Sequence, residues 1–546
     1  MTITQSHESK PALHDFEPLL LAELILLRAA TDGSIAKIGY QRPRNATPDV
    51  RLRAEFLAFL ARGGGPGARV HGSRLQVLGA CIVGRLDLSH SRIPLSLWLY
   101  RCVFAVAPVL DGAHVLGNLS FRDSALPGLH AEGLRVDGEL AMNAGCSMHG
   151  ELHLARARIS QDLNCERLQL RPSTKFADTL PCRLVADGVC IGGDVIVSSV
   201  EAVGELRFAG ARIEGDLRAT GAALSAELDA SGARGAALTL DRAHIGGHVA
   251  LDAGFSVAGQ VRLHRTRIGG DLDCSGADFD IVGDAGWGRA AVLLDRAQIG
   301  GALNLQQLQR PLEGSSLIDT RAGTLLDDAQ TWGTHHALDG FAYTRLGPAA
   351  PTDATMRLGW LATQRTGQSG PEPWRRLIKV LRRMGRDDSA AEVAIGRERH
   401  LRRSGLIGAS TPAALRWLPR LGHALFGAFA GYGHRPLRPL LAMFVLWLGC
   451  AGVYWAAADT GLLAPTQQTA HGQARLRPLA YSLDVMVPLV DLREQRRWAP
   501  RADDAGPASP AALLQLLTWF ESLCGWLATL TLLAIATGLT DRDRRG

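Results

Sequence analysis

Lysine is nearly missing from this 546-residue chain: it occurs at Lys10, Lys37, Lys175 and Lys379, and every other one of the 59 basic residues is arginine. With abundant alanine, this composition points to a GC-rich bacterial genome and says nothing of mechanism. No Cys-x-x-Cys pair occurs among the nine cysteines, their number is odd, and several stand where an apolar residue is expected. Reduced core thiols and a cytoplasmic compartment follow. The segment from Met1 to Pro18 is polar and lacks a secretory apolar stretch. Gly-x-Gly-x-x-Gly, the phosphate loop, His-Glu-x-x-His and Gly-x-Ser-x-Gly are all missing. The nearest dinucleotide-like run, Gly286-Trp-Gly-Arg-Ala-Ala291, follows a glycine-rich loop instead of a strand and reads as a loop. His244 and His248 are four apart in a β phrase, where that step does not build a helical metal site. No catalytic, cofactor-binding or metal residue is predicted, and the chain leans away from enzymes.

Charge is uneven. Residues 68–345 hold 26 basic and 31 acidic groups, a net of −5, whereas residues 346–546 hold 25 and 15, a net of +10. The formal total of +6 therefore does not describe a basic surface for nucleic acid.

What the chain does have is a repeat. Between Leu78 and Leu305 a phrase recurs: Gly, one residue, then two apolar residues separated by one position, as in Gly204-Glu-Leu-Arg-Phe208 and Gly270-Asp-Leu-Asp-Cys274. Its first apolar residues, Leu206, Leu217, Leu228, Leu238, Val249, Val261 and Leu272, keep a step of about 11. A second mark, an apolar residue two before Gly, recurs at Ile82, Val115, Val136, Ile191, Ile213, Ile245, Ile268 and Ile299, with a Gly-less copy at Ile159. The apolar positions alternate, as in short strands with one buried face. The glycines suit tight corners with positive φ. Such strands bury their faces only by stacking coil on coil. The fold predicted is mainly β: a right-handed parallel β-helix-like solenoid of about 22 residues per coil, then a helical hairpin and two transmembrane helices. A β-sandwich has no reason to keep an 11-residue step.

Five regions follow. Residues 1–67 form a helical N-terminal cap with helices over Leu19–Ala30 and Val50–Ala61. Residues 68–310 are the solenoid, and 311–370, where the repeat decays, a cap or linker. Residues 371–436 hold basic juxtamembrane helices broken at Gly385-Arg-Asp-Asp388. Residues 437–546 are a two-span membrane domain with a periplasmic loop, 459–509. Pro439–Ala458 and Ser522–Thr540 are uncharged runs long enough to span a bilayer. Residues 375–438 hold 14 basic and four acidic groups, the last six residues include Arg542, Arg544 and Arg545, and the loop is balanced with six of each. This asymmetry predicts a bacterial inner-membrane protein with both termini cytoplasmic.

Within the tail, Glu521 heads the second span at its periplasmic boundary and is a site candidate, as an acid in a membrane segment is by default. Leu479–Leu492, with Asp484 and Asp491, reads as an interfacial or re-entrant helix. Residues Ala413–Phe429 read as an amphipathic segment on the inner leaflet, with Arg416, Arg420, Arg435 and Arg438 as candidates for anionic lipid. Gly431-Tyr-Gly433 precedes the first span and reads as a turn, not a selectivity filter.

The phrases Gly79-Ala-Cys-Ile-Val-Gly-Arg-Leu-Asp-Leu88 and Gly210-Ala-Arg-Ile-Glu-Gly-Asp-Leu217 resemble a bacterial group related to pentapeptide-repeat proteins. Gly431-Tyr-Gly-His-Arg-Pro436, Tyr481-Ser-Leu-Asp484 and Pro488-Leu-Val-Asp491 resemble the membrane tail of the same group. Such proteins are often labelled membrane-associated oxidoreductase. The resemblance implies a redox role without assigning it to residues here, and some related tails look like two-span channel modules. The expected function is an anchored binding scaffold with a protein partner on the solenoid. The alternatives are a pore subunit with a solenoid sensor, which implies a homo-oligomer, and the oxidoreductase of the resemblance. No cofactor is predicted.

Overall fold

The computed structural model describes residues 12–172, 183–228, 234–280, 291–364, 370–407, 411–412, 415–466, 476–501 and 509–537. Cys182, the Gly286–Ala290 part of the glycine-rich loop, Arg542, Arg544 and Arg545 lie outside these residues. The chain divides into two units, Met1–Arg376 and Leu377–Gly546.

In the first unit the described strands build sheets of 21, ten and nine strands. Their pairs are parallel, and most strands are two residues long. Within the 21-stranded sheet, Leu140, Leu163, Val195, Leu217, Val249 and Leu272 stand in register, each paired with the next. A second column stacks Val115, Val136, Ile159, Ile191, Ile213, Ile245, Ile268 and Ile299. All of these side chains are buried. Each contributes about 2 kcal/mol of apolar burial, and its column partners lie on neighbouring strands.

The two sequence marks thus become columns, with two exceptions. Ile82 pairs with Leu52 and Phe104 in the ten-stranded sheet; the residue that stacks under Val115 is Ile93. Leu228 keeps the 11-residue step yet is exposed and forms an isolated antiparallel bridge with Arg234. The true neighbours are Leu206 and Leu238, in the nine-stranded sheet.

The glycines of Ile-Gly-Gly are set by close approach, not by positive φ. A Cβ on Gly246 would lie 2.3 Å from the Glu214 carbonyl oxygen, and one on Gly269 2.2 Å from that of Gly246. Positive φ falls instead on turn residues such as Arg242, Arg265 and Arg296. The Asp of Gly-Asp-Leu also has a structural task. Asp162 accepts from the Asp194 N–H at 2.8 Å, Asp194 from Asp216 at 2.9 Å, and Asp216 from His248 at 2.8 Å. His248 takes the next place, its Nδ1 accepting from the Asp271 N–H at 3.0 Å. The His248 N–H bond to Asp216 holds that carboxyl below the usual carboxylate range.

The ladders extend beyond the 68–310 expected. Ile35–Lys37 pairs with Arg74–Leu78, and Arg51–Arg53 with Cys81–Val83. Arg51–Arg53 therefore leaves the helix read over Val50–Ala61, and helix α2 is Ala54–Ala61. Arg53 pairs at 2.6 Å with the buried Glu23 of α1, Leu21–Asp32. At the other end the strands continue to Ala342–Leu346. There the apolar code fades because hydrogen-bonded polar residues fill the interior. Thr320 donates to the Leu294 carbonyl at 2.7 Å, Thr331 to that of Leu305 at 2.9 Å, and Ser315 meets His336 at 2.8 Å. Helix α3, Ala354–Ala362, is N-capped by Asp353 and brings Arg357 into a buried bidentate pair with Asp327 at 2.6 and 2.8 Å.

Helix α4, Glu372–Arg383, contains the division between units, and α5 is Asp387–Arg403. They match the helical pair read from the sequence, with the break at Gly385. The second unit continues with α6, Trp417–Ala430, and α7, Leu437–Asp459. Helix α8, Pro478–Met486, and α9, Pro510–Ala536, complete it. An antiparallel pair, Leu463–Pro465 with Trp498–Pro500, ties the two ends of the loop between α7 and α9.

Candidate functional site

Helices α7 and α9 are long and apolar enough to cross a membrane. Their large apolar side chains, among them Phe444, Trp455, Trp519, Leu523 and Leu527, are exposed. Only a few residues of each are buried, and α8 packs against both helices. Tyr454 and Tyr481 meet edge to face at 4.9 Å between α7 and α8. Trp447 donates its indole N–H to the Leu479 carbonyl at 3.0 Å. At Gly525 the absence of a side chain is required, because a Cβ there would lie 1.7 Å from the Met486 carbonyl oxygen. The C-terminal end of α8 is thus seated directly on the backbone of α9.

Glu521 lies inside this seat and is fully buried. Tyr454 Oη donates to its Oε2 at 2.7 Å, and Ser482 Oγ meets its Oε1. Ser482 also contacts the Trp447 carbonyl at 3.1 Å. One carboxyl therefore touches hydroxyls from both other helices. This corrects the place read from the sequence. Glu521 does not head the span, because α9 is capped earlier by Ser509, whose Oγ accepts from the Ala512 N–H, with Pro510 in the first turn.

The other two acids are not part of this cluster. Asp484 is buried on α8 and accepts from the N–H groups of Leu492 at 2.7 Å and Gln495 at 2.8 Å, which folds the following loop back. Asp491 is exposed and pairs with Arg496 at 3.2 Å. Tyr454 and Ser482 were not singled out from the sequence. A tyrosine inside an apolar span and the Ser of Tyr481-Ser-Leu-Asp484 were the available signals.

Arg416 and Arg420 donate to the Thr411 and Ile407 carbonyls at 3.2 and 3.4 Å, beside an exposed apolar face of α6 formed by Trp417, Leu418, Leu421 and Leu425. Arg435 reaches Glu392 at 3.4 Å, and Arg438 is exposed at the start of α7. Tyr432, at φ +57°, is buried against the His423 ring at 4.6 Å, so Gly431–Gly433 is the turn expected.

In the first unit, the ten-stranded sheet carries a groove of about 580 Å³. Small residues, among them Ser225 and Ser256, line it between two ion-paired ends. Arg171 pairs with Glu201 at one end, and Arg310 pairs with Asp278 at 2.9 Å and Asp280 at 2.8 Å at the other. Asp278 Oδ1 is buried without a hydrogen-bond partner among the described residues. Cys102 and Cys146 of this unit are buried, and burial pushes their thiols up to about 12. No protein-family model, no curated protein and no solved structure matches this chain.

Proposed function

We propose that this chain is a membrane-anchored binding scaffold. In this reading the parallel sheets are the faces of a right-handed parallel β-helix-like solenoid, of the kind the pentapeptide-repeat-related phrases imply. Right-handed crossovers between parallel strands are the rule, which favours that hand. In this reading helices α7 and α9 are the anchor in a bacterial inner membrane, and the arginine-rich residues 375–438 favour both termini in the cytoplasm. The apolar face of α6 lies on the inner leaflet, with Arg416 and Arg420 against anionic headgroups.

The observation that carries the reading is the groove on the ten-stranded sheet. It crosses neighbouring strands, is lined by small side chains, and offers arginine and carboxylate at both ends. A protein segment with charges of both signs fits such a surface. The test is affinity purification of the full chain beside Ser256→Arg, which fills the floor and leaves the buried face untouched. A partner held by the unaltered protein and lost with Ser256→Arg supports the scaffold. A partner list unchanged by the substitution, or no partner at all, sinks it.

A second reading is a pore subunit with the solenoid as sensor. It is favoured by one feature, a short helix seated between two spans with an enclosed carboxyl at the contact. Two spans do not line a pore alone, so a monomeric native mass in detergent removes this reading. A stable tetramer or larger ring supports it and calls for flux measurements on Glu521 and Asp484 variants.

A further inference from the structure

Glu521 is the single acid between Pro510 and Ala536, and among the described residues no basic side chain pairs with it. Its sequence neighbours Trp519, Phe520 and Leu523 face outward and apolar. An enclosed carboxylate without a cation is strongly disfavoured. The titratable groups that face it are Tyr454 and Cys450 from α7 and Tyr481 from α8; Asp484 and Cys524 lie next to Tyr481 and Cys450. None is a cation.

The hydrogen count points the same way. Tyr454 Oη supplies one hydrogen, to Glu521 Oε2, and the Cys450 thiol also bonds the carboxyl. Ser482 Oγ also has one hydrogen, yet it contacts two acceptors, Glu521 Oε1 and the Trp447 carbonyl. A hydrogen on Glu521 resolves this: the carboxyl donates to Ser482 Oγ, and Ser482 donates to Trp447. We propose that Glu521 is a proton-binding site, its carboxyl holding a proton at neutral pH in a chain from Tyr454 through Glu521 and Ser482 to the Trp447 carbonyl. The site rests on the contacts of α7, α8 and α9 alone and stands or falls independently of the scaffold and pore readings.

Infrared spectroscopy of the full chain in lipid vesicles tests it. At neutral pH exposed carboxyls, which titrate near pH 4, are ionised, so a protonated-carboxyl carbonyl band reports a sheltered acid. The expected result is such a band in the unaltered protein, shifted in deuterated water and lost in Glu521→Gln. The amide is a close steric match for the protonated acid and keeps both hydrogen bonds. Where Glu521→Gln fails to assemble, Tyr454→Phe and Ser482→Ala each must shift the band, since each removes one of its hydrogen bonds. Loss of carboxylate bands instead in Glu521→Gln overturns the proposal. So does a carbonyl band that does not move in either hydroxyl variant. A carbonyl band that appears only when sodium is withdrawn overturns it in favour of a cation site.

Discussion

Tyr454 Oη donates to Glu521 Oε2 at 2.7 Å, and this bond joins two helices whose partner residues are 67 positions apart. Both groups are buried, so removing one partner leaves the other without its bond. Tyr454→Phe is expected to lower stability by about 1–3 kcal/mol. Chemical unfolding in detergent, followed by tryptophan fluorescence, measures it, and a midpoint unmoved from the unaltered protein contradicts a structural role for the bond.

Gly525 bears the end of α8. With the Met486 carbonyl 1.7 Å from a Cβ, Gly525→Ala cannot be absorbed by a side-chain rotation, because the obstacle is backbone. The expected cost is at least about 1–3 kcal/mol, together with faster proteolysis of residues 487–501. Gly449, where a Cβ meets nothing within 4 Å, is the control: Gly449→Ala should leave cleavage unchanged.

Leu217 and Leu228 carry the same place in the repeated phrase and opposite environments. Leu217 is buried, whereas Leu228 is 59% exposed. Leu217→Ala is expected to cost about 2–5 kcal/mol, and Leu228→Ala to stay within about 0.5 kcal/mol. Equal losses in thermal unfolding would contradict the register.

The buried thiols give a pH dependence with a definite sign. Cys102 and Cys146 are pushed up to about 12 by burial, above the value of about 8.5 for a free thiol. Above about pH 8.5 the unfolded chain therefore releases protons that the folded chain keeps. Their contribution to stability is full below that pH and falls as pH rises. Unfolding midpoints at rising pH should drop less in Cys102→Ala/Cys146→Ala, compared with its own neutral-pH value, than in the unaltered protein. In the native state a maleimide should react with exposed Cys190 and spare Cys102 and Cys146.

Asp216 works in the opposite direction. Its carboxyl is held low by the His248 N–H and by Arg218. It stabilises the fold above the ordinary carboxylate value and loses that contribution as pH falls through its folded value. Asp216→Asn keeps the isosteric acceptor and loses the charge. Its acid-unfolding midpoint should therefore shift less between neutral and low pH than that of the unaltered chain.

Much of the first unit was legible because side chains in a strand alternate faces, so an 11-residue step with alternating apolar residues leaves few ways to stack. The errors have one source. Three sheets use similar phrases, and nothing local tells Ile82 from Ile93, or marks Leu228 as the exposed copy. The polar interior at Thr320, Thr331 and His336 hid the last strands for a related reason: hydrogen bonds to backbone carbonyls from earlier rungs replace apolar burial there, and those carbonyls are remote in sequence. Glu521 was found by its charge but misplaced, because counting uncharged residues forward from Ser522 ignores the cap at Ser509.

By itself, then, the sequence determined the parallel stacking of short strands, the two long apolar helices and the charge contrast between the halves. Each of these is set by periodicity, length or composition, which are local properties. The tertiary structure alone decided which residues share a column, why Gly525 must be glycine, and that Tyr454, Ser482 and Glu521 meet. The contacts at Glu521 cross 67 and 39 positions, and hydrogen bonds over such separations depend on how helices pack, not on any neighbour in the chain.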